Sequence, residues 1–84
     1  MLEINKYIKE EHYQKVLITV NELMDNEDQY IKAKEVQLNY YKGMSLIFLN
    51  QKEEGDFFLN WVINHGNTLG YLEMAKELSI ILNR

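Results

Sequence analysis

Two stretches decide the fold of this chain: residues 40–46, which read YYKGMSL, and residues 53–59, which read EEGDFFL. Each stretch places one glycine, Gly43 or Gly55, among apolar residues that recur at helical spacing. Glycine inside a helix costs about 1 kcal/mol relative to alanine, so both positions need a packing reason. We expect Gly43 and Gly55 to mark the crossing of two helices that approach too closely for any Cβ atom.

The composition favours an all-α fold. The chain has 84 residues, of which 46% are hydrophobic, and it contains neither proline nor cysteine. The alternation that is typical of strands is scarce, and this length suits one small domain over residues 1–84. Without proline, the turns are expected at Gly, Asn and Asp. The absence of cysteine excludes disulfides and thiolate ligands, so we expect neither a metal site nor a cofactor.

Charge and hydropathy limit the possible partners. The net charge is −4, so the chain should repel nucleic acid rather than bind it. The N-terminus is too polar for a secretory signal, and no apolar run is long enough for a membrane span. We therefore expect a cytoplasmic protein with no direct contact to nucleic acid or membrane.

The apolar periodicity predicts about five helices, arranged in antiparallel pairs. In the third of them, apolar residues occupy two faces, which predicts a helix that lies between two neighbours. Asp28, Gly66 and either Asn67 or Thr68 are the expected helix caps. The predicted helices span Leu2–Lys9, His12–Met24, Gln29–Leu49, Glu53–His65 and Leu69–Leu82.

The spacing of small and large residues around the two glycines resembles a degenerate tetratricopeptide repeat (TPR). In that family, two small residues mark the place where the two helices of a repeat cross. Asn39 and Lys42 depart from the family pattern, which prefers large apolar residues there, and Asn67 stands where proline is common. The residues that carry the resemblance are Gly43, Leu46, Gly55, Leu59 and Val62.

A second resemblance covers about half of the chain. The segments YKG at 41–43, QKEEG at 51–55 and GNTLGY at 66–71 resemble the C-terminal end of Rgg/MutR-type regulators. These are peptide-sensing transcription factors of Gram-positive bacteria that act in quorum sensing. In them, a DNA-binding domain precedes a TPR-like domain that binds a short signalling peptide and dimerises. The chain has no room for the DNA-binding part, so we expect an excised piece or a small free-standing relative; the short first helix favours excision.

Two sets of residues are candidate interaction sites. In a TPR-like stack the first helix of each pair lines the peptide groove, although ordinary core packing explains the same residues. Phe57 and Trp61 lie one turn apart, and they are the candidates for self-association because a short stack cannot cover all its apolar faces. The candidate peptide-binding residues are Gln37, Tyr40, Met44, Ile47 and Phe48.

Nothing in the sequence predicts catalysis. His12 and His65 are the only histidines, and they are expected at a helix start and a helix end rather than at a metal site. Ser45 lies in the middle of a helix, where its hydroxyl should bond back to a carbonyl. The acidic residues at 53–56 are explained by a solvated helix start.

We therefore expect a non-catalytic interaction module that resembles the peptide-sensing and dimerisation part of an Rgg/MutR-type regulator. Its expected partners are a second copy of the chain and either a signalling peptide or another protein. One alternative is a generic TPR-like adaptor. A further alternative is a small bundle like the bacteriocin-immunity proteins, although those tend to be basic and need no glycine hairpin.

Overall fold

The computed structural model describes residues 2–25, 34–65 and 71–82, and within them the chain is all-α. The predicted fold class is confirmed. Five helices are present in this part of the chain, and no strand accompanies them. They are α1 (Leu2–Lys9), α2 (Tyr13–Met24), α3 (Glu35–Phe48), α4 (Lys52–His65) and α5 (Tyr71–Leu82).

The observed boundaries differ most from the prediction at the start of α3. The sequence predicted one helix from Gln29 to Leu49, but α3 begins at Glu35. Lys34 caps it with φ −105° and ψ 16°, values that do not continue a helix, so an unbroken helix from residue 29 is wrong. The predicted caps at Asp28 and at residues 66–68 lie outside the described residues, as do residues 69 and 70.

Helix α3 is the centre of the fold. It contacts α2, α4 and α5, and its contact with α4 is the most extensive. Its buried residues are 38–41 and 43–47, so both of its apolar faces are covered, as expected for a helix between neighbours. The other helices each contribute one or two buried apolar residues to the same core: Ile4, Val16, Val20, Leu59, Val62 and Ala75.

Helices α3 and α4 form a hairpin, and their backbones approach each other most closely at Gly43 and Gly55. A Cβ atom added to Gly43 would lie 2.9 Å from the carbonyl oxygen of Gly55 and 3.0 Å from a Leu59 methyl carbon. A Cβ atom added to Gly55 would lie 2.5 Å from Cγ1 of Ile47 and 2.8 Å from the carbonyl oxygen of Gly43. The two backbones are therefore in direct contact, and no larger residue fits at either position without displacing a helix.

Two tight turns have the same backbone geometry. At the end of α1, Glu11 has φ 60°, its N–H donates to the Ile8 carbonyl, and the His12 N–H donates to the Tyr7 carbonyl. This is the Schellman motif, in which a left-handed residue ends the helix. The α3–α4 turn repeats it with a different residue, since Asn50 has φ 65°.

The expectation that turns fall at Gly, Asn or Asp holds for Asn50 and is wrong for Glu11. The left-handed region strains a residue with a long side chain, whereas asparagine tolerates it. The α1–α2 turn is therefore held in place by its two backbone hydrogen bonds and by the packing of Ile4 and Val16 in the core.

We expect Gly43→Ala and Gly55→Ala to lower the free energy of unfolding by about 2 kcal/mol or more, because the new Cβ atom meets backbone. Gly55→Ala should be more destabilising than Gly43→Ala, since its Cβ atom would lie 2.5 Å from Cγ1 of Ile47, closer than any contact of a Cβ atom at Gly43. Urea unfolding followed by circular dichroism measures the effect. Asn60→Ala, at an exposed position of α4, is the control and should stabilise slightly. Stabilisation by Gly43→Ala would contradict the close crossing.

We expect Glu11→Gly to stabilise the protein by about 1 kcal/mol, because glycine adopts the left-handed conformation without strain. Asn50→Gly should stabilise by only a few tenths of a kcal/mol, roughly, because asparagine already tolerates this conformation. Thermal unfolding of the two variants gives the comparison. Glu10→Gly is the matched control, because Glu10 lacks a positive φ and should gain nothing. Equal effects at positions 10 and 11 would refute the strain at Glu11.

Candidate functional site

The outer surface of α4 presents a row of four side chains, Glu53, Phe57, Trp61 and His65, spaced four residues apart. Residues at this spacing are neighbours on one face of a helix. We call this row the α4 ridge. Phe57 lies on the side of α4 away from the buried Gly55, Leu59 and Val62, while the half-buried Trp61 also packs against the core.

The α4 ridge is apolar at its centre and polar at its ends. Phe57 is 66% exposed, which exceeds the exposure of Ile18, Phe48 and Met74. Trp61 is half-buried, and Glu53 and His65 are exposed. Ile18, Phe48 and Met74 are also substantially exposed, and they lie on three different helices.

The rings of His65 and Phe57 each pack against a neighbouring aromatic side chain of α4. The His65 ring stacks on Trp61 with centroids 4.2 Å apart, and its Nδ1 atom lies 2.8 Å from the Trp61 carbonyl oxygen. Phe57 meets Phe58 edge to face at 5.2 Å, and the Lys42 ammonium lies 4.4 Å from the Phe58 ring centroid. Side chains that are already ordered lose less entropy when a partner docks.

The predicted self-association pair therefore lies on one surface, and the sequence analysis missed the other two members of the row. Glu53 and His65 continue the same spacing of four residues on either side of Phe57 and Trp61. That spacing was the available signal. Glu53 was assigned only to the solvated helix start, and His65 only to the helix dipole. Self-association itself stays a prediction.

The predicted peptide-binding residues occupy two different environments. Tyr40, Met44 and Ile47 are 6%, 9% and 6% exposed and belong to the core cluster, which fits ordinary core packing. Gln37 is half-buried, and Phe48 is half exposed and stacks on Tyr13 of α2 at 4.7 Å. In this conformation only the last two offer accessible surface. The peptide groove stays a prediction.

A polar row connects α1 to α3 beside Gln37. The Gln37 side-chain amide donates to the Tyr41 hydroxyl at 3.0 Å, and that hydroxyl donates to Oδ1 of Asn5 at 3.5 Å. We call Asn5, Tyr41 and Gln37 the amide row. The sequence carried no signal for it, because Asn5 and Tyr41 are far apart along the chain. Amide side chains of this kind form hydrogen bonds with peptide backbones.

Tyr40 and Tyr41 are neighbours with different surroundings. Burial raises the pKa of the Tyr40 hydroxyl above its usual value, and the nearby Tyr41 and Glu77 raise this pKa further. A raised pKa keeps the phenol protonated at neutral pH. Glu77 belongs to α5, so the hydroxyl of Tyr40 is influenced by a charge on α5. The hydroxyl of Tyr41 instead forms a hydrogen bond with Asn5 of α1.

Two polar side chains are buried within α3. The Asn39 amide donates to the Glu35 carbonyl at 3.0 Å, so Asn39 bonds within its own helix and is not available to a peptide. The Ser45 hydroxyl is fully buried and has no hydrogen-bond partner in the described part of the structure. The expectation that Ser45 bonds back to a helix carbonyl is therefore wrong. A small side chain such as serine fits this fully buried position.

The two histidines do not form a metal-binding cluster with other residues in the described part of the chain. His12 caps α2 without a side-chain hydrogen bond, and His65 is engaged with Trp61. Across residues 2–25, 34–65 and 71–82, no group of three or more His, Asp or Glu residues is placed to hold a metal ion. None of the helices in these ranges has the length and hydropathy of a membrane span.

No protein-family model, curated protein or solved structure matches this chain. The resemblance to Rgg/MutR-type regulators and to tetratricopeptide repeats therefore rests on the sequence segments alone and stays a prediction. The geometry of the α4 ridge and of the amide row carries the functional argument.

Proposed function

We propose that this chain is a non-catalytic interaction module that pairs with a second copy of itself through the α4 ridge. The observation that carries the proposal is Phe57, which exposes two thirds of its surface at the centre of the ridge. Burying a phenylalanine side chain contributes about 1.5–3 kcal/mol, so leaving it in water forgoes a large stabilisation. A partner that covers Phe57 would recover it.

The core supports this reading of α4. Gly55, Leu59 and Val62 already fill the inner face of the helix, so Phe57 is not required for packing within the chain. Contiguous apolar patches on soluble proteins mark places where another surface docks, and Phe57 and Trp61 lie one turn apart on α4. The same arrangement fits the dimerisation that the resemblance to Rgg/MutR-type regulators implies.

Within such a regulator, pairing through α4 would be linked to the glycine crossing. Helix α3 contacts α4 through bare backbone, so a shift of α3 moves α4 with it. A signalling peptide bound near α3 would therefore change how two copies pair. That is the role we propose for this module in transcription regulation and quorum sensing.

Peptide binding has its own supporting observation, the amide row. Asn5 of α1 and Gln37 of α3 present amide groups that the buried Tyr41 hydroxyl links by hydrogen bonds. An extended peptide that crosses these helices would meet donors and acceptors for its backbone. We propose the accessible amides of Asn5 and Gln37, rather than the buried Tyr40, Met44 and Ile47, as the first contact of a peptide.

We expect the purified chain to be a dimer and Phe57→Ser to weaken the dimer about 30-fold, because the substitution removes the central apolar contact. Size-exclusion chromatography with light scattering over a range of concentrations measures the change. Ile18→Ser is the matched control, because Ile18 is half exposed on α2 and lies on a different helix. Serine, phenylalanine and isoleucine have similar helix propensities, so neither substitution should change folding.

A monomer at all concentrations would contradict self-association and would favour a TPR-like adaptor that docks on another protein. Equal weakening by Phe57→Ser and Ile18→Ser would also contradict the proposal, since it would place the contact elsewhere.

We expect Tyr41→Phe to weaken peptide binding about fivefold, because it removes the hydroxyl that joins Gln37 to Asn5. The probe is a library of short synthetic apolar peptides, screened by shifts of the Gln37 and Asn5 amide signals in NMR spectra. Tyr7→Phe is the control: Tyr7 faces Lys15, and phenylalanine keeps that contact. Binding that moves neither amide signal would rule out the amide row as the peptide contact.

A further inference from the structure

We infer that the second copy docks antiparallel on the α4 ridge, with Glu53 of each copy facing His65 of the other. This inference rests on the proposed self-association and adds its register and its charge pairs. The ridge reads acid, aromatic, aromatic, histidine in one direction along α4. A surface that pairs with itself across a two-fold axis must be self-complementary. The α4 ridge is self-complementary when the second copy runs in the opposite direction, because each acidic end then faces a histidine.

The spacing along α4 sets the register. Glu53 and His65 are separated by three steps of four residues, and Phe57 and Trp61 lie at the first and second of those steps. A two-fold axis midway between Phe57 and Trp61 places Phe57 of one copy opposite Trp61 of the other. The same axis places Glu53 opposite His65. One register therefore pairs all four residues at once.

Charge complementarity selects the antiparallel direction. The first turn of α4 carries the carboxylates Glu53 and Glu54, while His65 is the basic residue of its last turn. A parallel pair would place acidic first turns side by side. The antiparallel pair instead sets each acidic turn beside a histidine, and it also aligns the two helix dipoles favourably.

The Glu53–His65 pairs can form only between copies. A helix rises 1.5 Å per residue, so the two side chains start about 18 Å apart within one chain. His65 is also held ready for this contact, because its ring is stacked on Trp61 and its Nδ1 atom is engaged by the Trp61 carbonyl. The other ring nitrogen, Nε2, is left for a carboxylate of the second copy, to which the doubly protonated ring donates.

Mixing two single variants tests this register. In the Glu53→Lys homodimer both cross-pairs become Lys against His, and in the His65→Glu homodimer both become Glu against Glu. A 1:1 mixture allows a heterodimer in which one cross-pair is Lys against Glu and the other is the original Glu against His. Each variant alone should dimerise about tenfold more weakly than the unmodified chain, because it loses both Glu53–His65 contacts and places two basic or two acidic side chains opposite each other.

The mixture should recover the affinity of the unmodified chain to within about threefold, since both of its cross-pairs are attractive. Sedimentation velocity with one variant fluorescently labelled measures the heterodimer directly, and circular dichroism checks that each variant folds. Glu22→Lys, at an exposed position of α2, is the control for the change in net charge and should neither weaken the dimer nor be rescued by mixing.

Variants that weaken without recovery in the mixture would overturn this register while leaving self-association through Phe57 intact. Variants that do not weaken at all would overturn it in the same way. An unmodified chain that stays monomeric would overturn both this inference and the proposed function.

Discussion

The contact between the backbones of Gly43 and Gly55 is the constraint on which the rest of this fold depends. It brings α3 and α4 together without intervening side chains, so neither helix can slide along or rotate about the other without a clash. Leu59 and Ile47 pack directly beside the two glycines. Because α3 also contacts α2 and α5, the position of α4 fixes the orientation of the whole core.

The same close approach explains why α4 has a free outer surface. Its inner face is narrow and is filled by Gly55, Leu59 and Val62, so the larger aromatic residues of α4 lie elsewhere on the helix. Lys42 holds Phe58 against α3, whereas Phe57 has no such cover. The surface proposed for pairing is thus a consequence of the hairpin geometry, and it does not require a separate domain or a cofactor.

The sequence predicted much of this architecture and less of the site, for identifiable physical reasons. Helical periodicity and the cost of glycine in a helix are local signals, and they predicted five helices and the role of Gly43 and Gly55. The break at Lys34 and the left-handed Glu11 carry no such signal, because neither residue type is specific to those conformations. The Asn5–Tyr41 hydrogen bond depends on how distant segments pack, and local patterns do not encode that. The spacing of four residues along α4 was visible in the sequence for all four members of the α4 ridge, although the prediction used only Phe57 and Trp61.

Trp61 is the only tryptophan of the chain, and it lies on the α4 ridge rather than in the core. The aromatic residues that fill the core, Tyr40 and Tyr41, are tyrosines. Fluorescence excited at the red edge of the absorption spectrum therefore originates from the ridge alone. The protein carries an intrinsic optical reporter at the surface where a partner is proposed to dock, next to an imidazole stacked on the same indole. Events at that surface can be observed without a label.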